Sequence, residues 1–233
     1  PQQEELKPLE LPMYDVIDQK EVKVPTAKLG EELRVGPVTV KVTLHGVSHI
    51  DSTFKGIDEK LALYQFRVQV TNYSDGYLDL NRQKVFWITN ETQLTRKSFD
   101  PRINWWIIGR RSDGSYLLTI PEPYYILNLG YPERQVKLAG WARYEKGMKT
   151  LPERLDPGVS AEGDILIELV SSRELIREFG EDPDAHWYLF LGNWLAAKAW
   201  GRIDLGTRPE LYEQLVELVG PSPELPPVIF WPH

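Results

Sequence analysis

Two segments in the first third of the chain alternate strictly between apolar and polar residues, and this limits what the chain can fold into. Across residues 38–44, Val38, Val40, Val42 and Leu44 are separated by Thr39, Lys41 and Thr43. Across residues 64–71, Tyr64, Phe66, Val68 and Val70 are separated by Gln65, Arg67 and Gln69, with Thr71 closing the run. A period of two sends one residue set to each face of a sheet, so both segments read as half-buried antiparallel strands. A fold built on such strands needs a second layer over its apolar face.

More strand signals follow. Residues 85–89 are strand-like, and residues 105–111 and 116–120 flank Ser112-Asp113-Gly114-Ser115, a hairpin signal. Residues 124–129, 135–144 and 163–170 add three further candidates. Asn72-Tyr73-Ser74-Asp75-Gly76 is a turn after the second alternating strand, and residues 45–59 read as a polar connection. Seven to nine short strands between turns predict an immunoglobulin-like antiparallel β-sandwich over residues 29–171.

Both ends differ in character. Residues 1–28 carry Pro8, Pro12 and Pro25 and read as an extended N-terminal arm. Residues 172–220 are expected to form a helical extension packed on the sandwich. Ser171 and Glu174 fit a capping box for its first helix, with Gly180 as the stop. Asp182-Pro183 leads into residues 186–200, apolar almost all round, which reads as a buried helix, with a strand as the alternative for its start. Thr207 and Glu210 open a third helix, amphipathic through Leu211, Leu215 and Leu218, which Gly220 closes. Residues 221–233 form a Pro-rich tail around an apolar Val228-Ile229-Phe230-Trp231.

Composition excludes several function classes. A net charge of −7 with no basic run lacks the footprint of a nucleic-acid binder. No run of 18 apolar residues is present to span a membrane as a helix. With no Cys, disulfides, thiolate metal sites and Cys nucleophiles are absent. Two Met and 18 Pro, together with many Glu and Arg, suit an exported protein of a hot environment. The start at Pro1 is expected from removal of a signal peptide or lipoprotein leader.

Motifs for chemistry are sparse. The sequence holds no nucleophile elbow, phosphate-binding loop, zinc-protease helix or dinucleotide fingerprint. Of the four His, His45 and His49 follow a strand and read as loop residues, and His186 as a helix-terminal or packing residue. Asp51, Asp58, Glu59, Asp75, Asp79, Asp182 and Asp184 have no spacing that singles out a carboxylate pair or a calcium loop, so they read as solvated turn residues. No catalytic residue, cofactor or metal site is expected. Asn72 and Asn90 head N-glycosylation triplets at strand ends.

The turn pattern resembles a secreted immunoglobulin-like domain family of unknown function, found in bacterial and archaeal lipoproteins and in a mycobacterial immunoprotective antigen. Gly30-Glu-Glu-Leu-Arg-Val-Gly36-Pro-Val-Thr-Val is similar to its opening, and residues 64–72 with Ser74-Asp75 to its central strand and turn. Leu155-Asp-Pro-Gly158 through Glu162-Gly163-Asp-Ile-Leu-Ile is similar to its closing strand. The likeness covers about residues 28–172 and departs at the aromatic insertion around residues 104–125 and after Ser171. It implies an extracytoplasmic sandwich without catalytic residues, used for binding or assembly.

The expectation is therefore a non-enzymatic exported structural or interaction protein that self-associates, building a filament or other surface assembly by strand donation. Tyr14, Val16, Val22 and Val24 in the arm and Val228, Ile229, Phe230 and Trp231 in the tail are the interaction candidates, with both arms folding back onto their own domain as the equal alternative. Two alternatives stand beside it: a virion structural protein, and a carbohydrate-binding module using Trp105, Trp106 or Trp141.

Overall fold

The computed structural model describes residues 6–16, 24–54, 57–80, 86–91, 106–110, 116–119, 135–136, 149, 151–167, 184–193 and 196–220. Their strands are β1 (Tyr14–Asp15), β2 (Thr26–Lys28), β3 (Glu32–Val35), β4 (Val38–Phe54), β5 (Ile57–Asn72), β6 (Leu78–Asp79) and β7 (Phe86–Asn90). There follow β8 (Trp106–Arg110), β9 (Tyr116–Thr119), β10 (Gln135–Val136), β11 (Arg154–Leu155), β12 (Ser160–Ile167), β13 (Trp187–Asn193) and β14 (Lys198–Gly206). One helix, α1 (Arg208–Val219), completes the described elements.

The two alternating segments are half-buried antiparallel strands, as the sequence predicts, and they pair with each other. β4 and β5 form an antiparallel hairpin from Val38 opposite Asn72 to Phe54 opposite Ile57. β12 pairs with the other edge of β5, while β3 and then β10 line the free edge of β4. Val38, Val40, Val42, Phe66, Val68, Val70 and Ile165 are buried on the inner face of this five-stranded sheet. Its outer face carries Thr39, Lys41, Arg67, Gln69, Thr71, Ser160 and Glu162, bonded across strands through Thr71 with Ser160 and Gln69 with Glu162.

The stretch 45–59 is not a polar connection. His45 is the extra residue of a β-bulge, since Leu44 faces Phe66 and Gly46 faces Gln65. The bulge breaks the two-residue period by one position, and the hairpin then continues beyond it in a new register. Asp51, Asp58 and Glu59 thus sit on paired strands, opposite Lys60, Thr53 and Ser52.

The second sheet has seven strands, ordered β1-β14-β13-β7-β8-β9, with β2 also on β14. The apolar stretch 186–200 is therefore not a helix. It supplies β13 and the start of β14, both antiparallel neighbours in the middle of this sheet. Apolarity on every side fits a buried helix and a doubly covered strand equally, and here the partners on both edges decide for strand. So residues beyond 171 build part of the sandwich itself, and α1 follows them. The expected helix at 171–180 lies outside them.

Trp187, Leu189, Leu191, Ile203, Leu205, Phe86 and Ile88 face the inner residues of the five-stranded sheet in one continuous core. Leu211 and Leu215 of α1 are buried, with Leu211 joining that core. The helix starts where the sequence places it: Thr207 accepts from Glu210 N–H, and the Glu210 carboxylate accepts from Thr207 N–H. The architecture is mainly β, sandwich-like, with several sheets and a C-terminal helix.

Irregular segments guard the sheet edges. Beside β12, Asp164 N–H donates to Lys149 O, and Lys149 N–H donates to the Asp164 carboxylate. That carboxylate is fully buried and takes two further bonds, from Arg67 Nε at 2.9 Å and Nη2 at 3.1 Å. Edges left bare invite pairing with other chains.

Candidate functional site

Successive side chains of β13 and β14 point to opposite faces of the sheet, so their second residue set points away from the core. On this outer face, Phe190 is opposite Arg202, Tyr188 is opposite Asp204, and Trp87 of β7 is opposite Phe190. Trp87 and Phe190 stack at 5.7 Å with planes 5° apart, and Tyr188 meets Phe190 edge-on at 6.2 Å. The face does not lie open. Val16 and Val24 of the N-terminal arm are buried against Trp87, Phe190 and Ala199, with Tyr14 packed beside them.

Backbone bonds fix that arm. β1 pairs with β14 at Tyr14–Ala199 and Asp15–Lys198, and Val16 N–H donates to Ala197 O at 3.0 Å. Ala197 holds a left-handed φ of 52° in the β13–β14 turn. Farther along the same edge, β2 joins in parallel, matching Thr26 to Arg202 through Lys28 to Asp204. Upstream, Leu9 N–H donates to Tyr77 O and Tyr77 N–H to Lys7 O. The close approach there leaves Gly76 no room for a side chain, since a Cβ would lie 2.8 Å from Lys7 O.

A polar cluster borders the aromatic patch. Arg202 lies over the Tyr188 ring at 4.4 Å and donates from Nε to Thr26 Oγ1 at 2.8 Å. Thr26 Oγ1 in turn donates to Val24 O. His186 Nδ1 meets both oxygens of Asp204 at 2.9 and 3.0 Å, and Asp204 Oδ1 also accepts Gly206 N–H at 2.9 Å. The hydrogen bond to Asp204 raises the His186 pKa above the ordinary imidazole value, against burial and with help from the Asp204, Glu210 and Glu91 charges. Tyr188 is raised chiefly by burial, with the Arg202 charge opposing.

These contacts tie elements together. Asp204 clasps the start of β13 and the turn into α1, and Arg202 clasps β2 of the arm to the sheet. One face of the Tyr188 ring is covered by Arg202. Among the described residues, no group of three or more His, Asp or Glu side chains is arranged to hold a metal ion.

The interaction candidates divide by position. Tyr14, Val16 and Val24 come together on the outer face, whereas Val22, Val228, Ile229, Phe230 and Trp231 lie outside the described residues. Trp106 enters β8 opposite Ile88, and Trp105 and Trp141 lie outside the description. Asn90 ends β7 opposite Trp187.

Asn72 corrects an expectation. Its side chain is fully buried, donating Nδ2–H to Gly76 O at 2.8 Å and to Leu155 O at 3.0 Å. Its Oδ1 accepts from Ser74 N and Oγ. In this fold the Asn72 side chain does not face solvent, and a glycan on Nδ2 would have to displace this closure, so Asn72 serves here as a turn-locking residue. Sequence reasoning also missed His186, Arg202 and Asp204 as a unit. The alternation Arg202-Ile203-Asp204-Leu205 was the available signal, masked by the apolar run before it.

No protein-family model matches the chain, and no curated protein matches it. Among solved structures it is similar to a conserved hypothetical protein from Bacillus anthracis, at 11% identity over 78% of this chain and 92% of that one, TM-score 0.30. It is also similar to an uncharacterized β-sandwich protein from Clostridium difficile 630, at 9% identity over 80% of this chain and 97% of that one, TM-score 0.31.

Proposed function

We propose that this protein is a non-enzymatic, exported assembly subunit of immunoglobulin-like type that self-associates by exchange of its N-terminal arm. The observation that carries the reading is the edge of β14, which is covered by two short strands of that arm, β1 and β2. The arm also buries Val16 and Val24 on the outer aromatic face. A segment that docks by edge pairing plus apolar anchors makes the same contacts with a second copy, which is the physical route to strand exchange. The polar groups beside it support a structural role, because the contacts of His186, Asp204 and Arg202 hold strands, arm and helix in place. The exported setting rests on the resemblance of residues 28–172 to secreted domains.

Absence of Cys makes the test clean. Asp15 and Lys198 are direct cross-strand partners, so a D15C/K198C variant can be oxidised across the arm–sheet contact. After unfolding and refolding at high concentration, disulfide-linked dimers and higher species on a non-reducing gel are expected. Intrachain links alone at every concentration would refute the exchange. Deleting residues 1–24 should reduce the solution mass of any assembly, and an unchanged mass would refute the arm as its connector.

A further inference from the structure

Consecutive backbone amides at the junction of β14 and α1 are held by different carboxylates. Gly206 N–H donates to Asp204 Oδ1 at 2.9 Å, and Thr207 N–H donates to Glu210 Oε2 at 2.8 Å. The Glu210 carboxylate folds back over Gly206, where an added Cβ would lie 2.8 Å from Oε2. Gly206 turns the chain there with a left-handed φ of 86°. Two like charges thus converge on one turn and repel each other. A third acidic residue, Glu91, follows β7, and its N–H donates to His186 O at 2.9 Å.

One side chain faces all three. His186 Nδ1 meets both Asp204 oxygens, and the charges of Glu210 and Glu91 act on the same ring. On its own segment Asp184 precedes it by two residues, and Tyr188 lies beside it with ring centroids 6.4 Å apart and Arg202 over the Tyr188 ring. The His186 side chain is 40% exposed, so it exchanges protons with solvent, whereas Asp204 keeps 16%.

We infer that His186 is a pH latch on the start of α1, its imidazolium serving as the shared counter-ion that holds the carboxylates of β14, α1 and the β7 end together. The hydrogen bond to Asp204, aided by those charges, raises the imidazole pKa against the effect of burial. The latch is therefore closed below the ordinary value near 6.5 and opens as pH rises through the folded-state value. With the ring neutral, Asp204 and Glu210 repel each other across Gly206. The element that yields is α1, because it is joined to the sandwich by this turn and by Leu211 and Leu215, whereas β14 is paired along both edges. Opening uncovers that leucine stripe. The device works within one chain and does not depend on arm exchange.

Amide hydrogen exchange of the full chain tests the latch, read segment by segment by mass spectrometry and corrected for the intrinsic rate at each pH. From pH 6 to pH 8.5 the protection of the α1 amides should fall by about two- to fivefold, the range of a partly exposed ion pair. Protection of the β4–β5 hairpin should stay level. H186N replaces the imidazole with a neutral amide and should show the lower α1 protection at both pH values. E210Q keeps the capping box, in which Gln serves as Glu does, but removes one of the converging charges. It should raise α1 protection at pH 8.5 toward the pH 6 value. A level α1 profile in the parent chain, equal falls in α1 and the hairpin, or a fall as large in either variant as in the parent would overturn the inference.

Discussion

The buried Asp164–Arg67 pair gives a prediction whose magnitude follows from burial. Asp164 has no exposed surface, whereas the Arg67 side chain keeps 18% of its own. Removing one partner of a buried ion pair costs about 3–5 kcal/mol because the other charge is stranded. In D164L the stranded group is Arg67, which reaches water in part, while Lys149 N–H also loses an acceptor at 2.8 Å. The expected cost is about 3 kcal/mol. In R67M the stranded group is a carboxylate with no access to water, so the cost should be larger, about 4 kcal/mol. The double variant D164L/R67M strands no charge and should be more stable than R67M alone. Urea unfolding followed by tryptophan fluorescence measures all three, and the eight Trp supply the signal. For a chain of this length, 3 kcal/mol corresponds to a melting shift of about 6–12 °C. If D164L cost more than R67M, or if the two effects simply added, the assignment of the penalty to a stranded buried charge would be wrong.

Three further outcomes follow from the same geometry. N72A should lose about 3 kcal/mol in urea titration, since four side-chain bonds vanish, and N72D should fare no better because its carboxylate would face Gly76 O and Leu155 O. G163A should destabilise by about 1–3 kcal/mol, because a Cβ would lie 2.5 Å from both Leu151 Cγ and Leu151 N; adding L151A should fail to rescue it, as the backbone clash remains. The raised His186 pKa predicts a pH slope. The pair's contribution is complete below the ordinary imidazole value near 6.5 and declines as pH rises through the folded-state value, so the melting temperature should fall from pH 6 to pH 8.5. D204N should flatten that slope, and an equal slope in both proteins would remove His186 as its source.

The local features of the fold were legible wherever the cause was local. Alternation through Val38–Val42 and Phe66–Val70 marked two half-buried strands because each residue's face is fixed by its neighbours. The capping box of Thr207 and Glu210 marked the start of α1 because its hydrogen bonds close within four residues. By contrast, the turn Asn72–Gly76 was visible, but its buried amide was not, since one of its partners is Leu155 O on a distant segment.

Sequence by itself determined that this chain builds sheets, where two of the strands lie, and that a helix follows Thr207. Tertiary structure decided what the apolar stretch 186–200 becomes. Its residues are compatible with a buried helix, and they form strands because β7 offers one edge to β13 while β1 and β2 cover the outer edge of β14. It also decided that Val16 and Val24 are anchors on an aromatic face. A helix satisfies its backbone within its own segment, whereas a strand's hydrogen bonds belong to other parts of the chain, and no local pattern can name those partners.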